Sequence, residues 1–106
     1  MKDIDIAKRL VRTQQSAYTR GKEFDMSFKK MKSLLHTKKC YITGIEMQSV
    51  DDKANDYLTL ERLDNSQGYF DSNVVACCSY INKKKGELTI DEIKLIYNAF
   101  KKKKLI

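Results

Sequence analysis

Apolar residues recur at helical spacing through the first twenty positions: Ala7, Leu10, Val11, Ala17 and Tyr18, with Gln14 between. That period predicts an amphipathic helix, stopped at Gly21 in "TRGKEF". A second helix is expected from Asp25 or Ser27, since either side chain can cap free amide groups. Phe28, Met31, Leu34 and Leu35 then share one face. The run closes near "HTKK", where positive charge suits a helix carboxyl end.

Beyond residue 39 the period shortens. "CYITGIEM" sets β-formers on either side of Thr43-Gly44, which predicts a hairpin or knuckle, and the polar "QSVDDKAND" reads as a loop. "YLTLERL" alternates as a strand, "DNSQGY" is turn chemistry, and "NVVAC" is a second short strand. "CSYINKKKG" follows as a short helix stopped by Gly86. The last helix has the clearest signals: Thr89 and Glu92 spell a capping box, with Leu88 and Ile93 as the flanking staple. Ile93, Ile96, Tyr97 and Phe100 are expected to form its buried stripe. The expected class is α+β in one domain: helices over 1–39, a knuckle and a strand–strand–helix core over 40–86, and a helix with a lysine tail over 87–106.

Charge narrows the class of partner. Twenty-one Lys and Arg against fourteen Asp and Glu give a net charge of +7. The excess is clustered, as "KKK" at 83–85 and "KKKK" at 101–104. Clustered lysines suit a polyanion, because each neutralised phosphate releases condensed counterions. A merely solvated lysine-rich surface, or one meeting an acidic protein, is the plain alternative. No run of ~18 apolar residues is available to span a bilayer. "MKDIDIAKRL" lacks the apolar segment of a secretory signal, so the expected location is the cytoplasm, a host's if the chain is phage-encoded. Three cysteines, Cys40, Cys77 and Cys78, then read as buried thiols rather than a disulfide framework.

"ERLDNSQGY", then "NVVACCSYINKKK", with "CYITG" upstream where relatives carry a "CxxC" knuckle, resembles the HNH (ββα-metal, or His-Me finger) endonuclease superfamily, and most of all its small phage-type members. The resemblance covers residues 22 to 100 and is strongest from Leu58 to Lys85. It implies a ββα-metal core and metal-dependent hydrolysis of phosphodiester bonds, with DNA as the expected substrate. It also implies Glu61 as metal carboxylate, Asn73 as the middle Asn and Asn82 as the helix ligand. Glu and Asn are hard oxygen donors, so the implied cofactor is Mg2+ or Mn2+.

The departure is at the base. Arg62 stands where the family places a histidine, and a guanidinium with a pKa above ~12 removes no proton from water. It is expected to clamp phosphate instead, beside Lys83, Lys84 and Lys85. Asp64, two positions on, is a candidate substitute if the strand extends that far. Zinc is not expected: Thr43 and Ile81 stand where the paired knuckle cysteines would be, and the remaining thiols pack as small apolar groups. His36 is read as a helix-end or surface residue, Gly68 as a positive-φ turn residue, and Tyr69 as a core or loop anchor. Glu61 and Arg62 have an ordinary reading as a surface ion pair. Two other functions stay open: a non-catalytic HNH-fold module that binds nucleic acid or a phage or host protein, and a structural basic protein that coats nucleic acid.

Overall fold

Helix α1 (Asp3–Thr19) buries Ile6, Thr13 and Ala17, with Leu10 half-buried between them, in a computed structural model that describes residues 1–106. The stripe is rotated from the one expected, and Val11 and Tyr18 are exposed. Thr13 can take a core position because its hydroxyl donates to Arg9 O at 2.8 Å, so no polar group is left unpaired. After Gly21, in the left-handed region at φ 65°, Phe24–Asp25 forms a short strand, β1. Helix α2 (Phe28–Leu35) starts on Ser27, whose side chain accepts from Lys30 N, and buries Met31, Leu34 and Leu35. At its end His36 Nδ1 donates to Lys32 O, as a helix-end residue does.

The knuckle closes by Cys40 N donating to Ile45 O and Gly44 N to Cys40 O, with Lys39 bridged to Glu46. Strand β2 (Leu58–Arg62) pairs antiparallel with β4 (Val74–Cys78), and Glu61 stands opposite Val75. Between them β3 (Tyr69–Phe70) pairs in parallel with β1 in a separate two-stranded sheet. Helix α3 (Ser79–Lys85) follows β4 directly and ends on Gly86, at φ 55°. Alternation along β2 divides its residues. Leu58 and Leu60 join Val74, Ala76, Ile6 and Met31 in the main core, whereas Thr59 and Glu61 belong to the opposite face.

Two expectations are corrected here. Helix α4 (Ile90–Lys102) has the full capping box between Thr89 and Glu92, yet buries no residue. Ile93, Ile96, Tyr97 and Phe100 remain 39–50% exposed, so the amphipathic pattern is present without a partner for it. The α4 segment stands off the body of a molecule measuring 50 × 30 × 21 Å. Gly68 does not have a positive φ; a Cβ there would meet Glu23 O at 2.6 Å. Close approach of the β1 segment, rather than turn conformation, requires the glycine.

Candidate functional site

A polar cavity of 470 Å³ opens beside β2, walled by Arg20 and Lys22 from the end of α1, by Glu61 and Arg62, and by Asn82 of α3. A larger, mostly apolar hollow of 680 Å³ along α1, lined by Ile4, Ala7 and Val11 with Asp5, Lys8 and Arg12, carries no comparable set of groups. Glu61 is only 6% exposed, and its Oε2 is enclosed without a hydrogen-bond partner. Burial pushes its carboxyl pKa up, against the positive charges of Lys85, Arg62 and Arg20 and the Arg62 backbone N–H. The ordinary ion-pair reading fails: Glu61 and Arg62 form no salt bridge, and the molecule's one such pair joins Lys32 to Asp3.

Asn82 is held from below. Its Nδ2 donates to Thr59 Oγ1 at 2.8 Å and more weakly to Leu60 O at 3.4 Å. Thr59 Oγ1 itself donates to Cys77 O, so toward Asn82 it can only accept. That fixes the amide with its nitrogen inward, and leaves Oδ1 with no donor from within the chain. An orphaned carboxylate oxygen and an oriented carbonyl oxygen on one wall are the donor types a hard dication takes. Two protein ligands suit Mg2+ or Mn2+, which keep several waters. No three-residue cluster of His, Cys, Asp and Glu has the geometry of a metal site.

The other predicted residues divide. Arg62, 8% exposed, donates through Nη1 to Asn65 O and Gln67 O and lies 4.9 Å from the centre of the Tyr69 ring. This guanidinium holds the 65–67 turn while lining the cavity. Asn73 is buried and ties the same turn, accepting from Asp64 N and donating to Asp64 O and Gly68 O. Asp64 lies beyond the end of β2 and off the cavity wall. Its carboxylate accepts from the Ser66 hydroxyl and backbone N–H, which hold its pKa below the usual carboxylate range. Lys85 straps α3 to the turn, donating to Arg62 O at 2.9 Å. Lys83 and Lys84 are exposed, with Lys84 over the Tyr80 ring.

Four wall residues escaped sequence reasoning: Arg20, Lys22, Asn65 and Glu87. Arg20 Nη1 donates to Tyr69 OH at 2.8 Å across 49 residues of chain, a contact with no local signal. The thiols lie under the knuckle, with Cys40 and Cys77 sulfurs 3.5 Å apart and Cys78 beside them. Burial pushes Cys77 up to about 12, reinforced by its hydrogen bond with Cys40. Burial also acts upward on Cys40, but the Thr43 hydroxyl and the N–H groups of Cys78, Thr43 and Ile42 outweigh it and bring that thiol down to about 6.

Over 89 residues, 83% of its length, the chain is 35% identical to an uncharacterized 29.0 kDa protein from the dda-modA intergenic region of Enterobacteria phage T4. It spans only 35% of that relative. No family model and no solved structure matches the chain. No helix is long and apolar enough to cross a membrane.

Proposed function

We propose that the chain is an HNH-like, metal-dependent endonuclease domain that hydrolyses phosphodiester bonds, with DNA as its first substrate. The strand–strand–helix run β2–β4–α3 is the part read as a ββα-metal core. One observation carries the reading: Glu61 Oε2 is buried and unpartnered on a wall that also holds the oriented Asn82 amide and the cations Arg20, Lys22 and Arg62. An unpaired buried carboxylate costs stability unless a charge meets it. Mg2+ or Mn2+ held by Glu61 and Asn82 would meet it, and when bound would supply positive charge to a scissile phosphate.

The remaining work falls to the chain's own side chains. Arg20 and Lys22 would fix phosphate oxygens at the rim, with Arg62 behind them. Asn73, through the turn it ties, positions Arg62 rather than touching substrate. Glu87 is the second carboxylate on the wall, and in this reading it accepts the proton of the attacking water, which Arg62 cannot. Similarity to a phage T4 protein fits a phage-encoded nuclease acting in the host cytoplasm.

A second reading has its own support. Arg62 stands where the base would be, its guanidinium already engaged by two carbonyls and a ring, which suits a module that binds nucleic acid or a host protein without cutting. Cleavage of plasmid and oligonucleotide DNA and RNA by purified protein in Mg2+ or Mn2+ separates the two. The nuclease reading expects nicking that Glu61→Ala and Glu87→Gln each abolish or cut at least ~100-fold, while oligonucleotide binding persists. Folded wild-type protein that nicks nothing in either metal leaves the binding module.

A further inference from the structure

Next to the Glu61–Asn82 cavity lies a second hollow of 230 Å³, and the two share Arg20, Leu60 and Tyr69 in their walls. The rest of the second hollow is α1: Arg9, Arg12, Thr13 and Ser16. Positions 9, 12, 16 and 20 follow one another at three- and four-residue steps, so they form a single stripe. No carboxylate lines this hollow, and none of the three arginines is in a salt bridge.

That is an unusual place to leave guanidinium groups. Arg9 is half-buried, and both its desolvation and the neighbouring Arg12 charge act against its protonated form, with only Tyr57 opposing. A guanidinium stays charged under such pressure, so the positive potential persists with no carboxylate in salt-bridge contact. A planar fork of donors matches phosphate bidentately. From Arg9 to Arg20 the stripe runs ~16 Å along the helix, the length of about five nucleotide steps in a duplex strand.

We infer that the Arg9–Arg12–Arg20 face of α1 is a phosphodiester-backbone track that leads a nucleic-acid strand into the Glu61–Asn82 cavity. The assignment rests on the nucleic-acid reading of that cavity, though not on catalysis. It gives α1 a binding role and moves the principal phosphate contacts from the 83–85 lysines to the opposite side of β2.

The test reads binding in EDTA, so that loss of cleavage cannot be mistaken for loss of the track. Anisotropy of a labelled duplex of about 20 base pairs is followed between about 50 and 200 mM salt. Two lost phosphate contacts should reduce the slope of log K against log salt by about 1.8 in Arg9→Gln/Arg12→Gln, with weaker binding throughout. Arg12→Gln alone, at an exposed position where folding is not at risk, should reduce it by about 0.9. Lys101→Gln/Lys102→Gln, with the same charge removed from the tail, should leave more of the slope than the arginine pair. An unchanged slope in Arg12→Gln, an equal loss from the tail variant, or no duplex binding by wild type overturns the inference. So does displacement of the duplex by polyglutamate of matched charge as readily as by unlabelled duplex, which would make the face a dock for acidic protein. A nuclease that fails to cut yet shows these slopes leaves the track standing.

Discussion

Asn82 on α3 reaches back across 23 residues to the hydroxyl of Thr59 on β2, at 2.8 Å, and that hydroxyl is itself committed to Cys77 O at 2.7 Å. The chain of two bonds decides which end of the Asn82 amide faces the cavity. In the proposed metal site, Asn82 Oδ1 would thus be oriented by a residue that does not itself touch the ion, the usual task of an outer-shell partner.

Replacing Thr59 by Val keeps the shape and removes the acceptor. The amide is then free to turn, and Mn2+ affinity measured by calorimetry should fall about tenfold or more. Thr59→Ser, which keeps the hydroxyl, should retain most of it. Equal affinities for Val and wild type would mean that Asn82 is not a ligand.

Glu61 makes a stability prediction with a definite sign. Its folded pKa is raised by burial. The native state therefore holds the proton more tightly than the unfolded chain. That contribution to stability is fully present below the unfolded carboxyl value of about 4.3, and is lost as pH rises through the folded value. In EDTA, Glu61→Gln should melt at or above the wild-type temperature near neutral pH, with the gap closing as pH falls through the folded carboxyl value. Mn2+ should reverse the order by stabilising wild type alone. Thermal melts at pH 4 and pH 8, with and without Mn2+, check both halves.

Gly68 is a packing requirement. A methyl group there would lie 2.6 Å from Glu23 O, and that carbonyl accepts from Tyr69 N to hold β1 against β3. Backbone must move to admit it, so Gly68→Ala should cost about 1–3 kcal/mol in urea denaturation. Since Gly68 O also accepts from Asn73, the shift should reach the turn that Arg62 holds.

What the sequence made legible is local. The order strand, turn, strand, short helix follows from alternation, turn residues and Gly86, all within about thirty positions, and the structure has each of them. Ser27 and the Thr89–Glu92 box cap the helices they were expected to cap, because capping involves neighbours only three residues away. The pairing of β1 with β3 joins residues 45 apart through two-residue strands, too short for any periodicity. The cavity wall was half legible for the same reason. Glu61 and Asn82 lie inside the patterned segment, whereas Arg20 and Lys22 arrive from another part of the chain.

The stripe on α4 shows where periodicity stops being evidence of burial. Ile93, Ile96, Tyr97 and Phe100 recur at helical spacing, yet each remains more than a third exposed. Removing apolar surface that is still about half in water and unenclosed forfeits only part of the transfer energy and opens no cavity. Phe100→Ala should therefore cost less than about 1 kcal/mol, whereas Ile6→Ala, at a side chain with no exposure at all, should cost about 2–5 kcal/mol. Thr89→Ala should fray α4 by removing its cap, at about 1 kcal/mol for that helix, without moving the global transition. Hydrogen exchange supplies the measurement. Amides of residues 93–102 should exchange by local opening well before those of β2 and β4, and more so in Thr89→Ala. Uniform protection across α4 and the β2–β4 sheet would mean that the helix is packed far more tightly in solution than its exposed stripe allows.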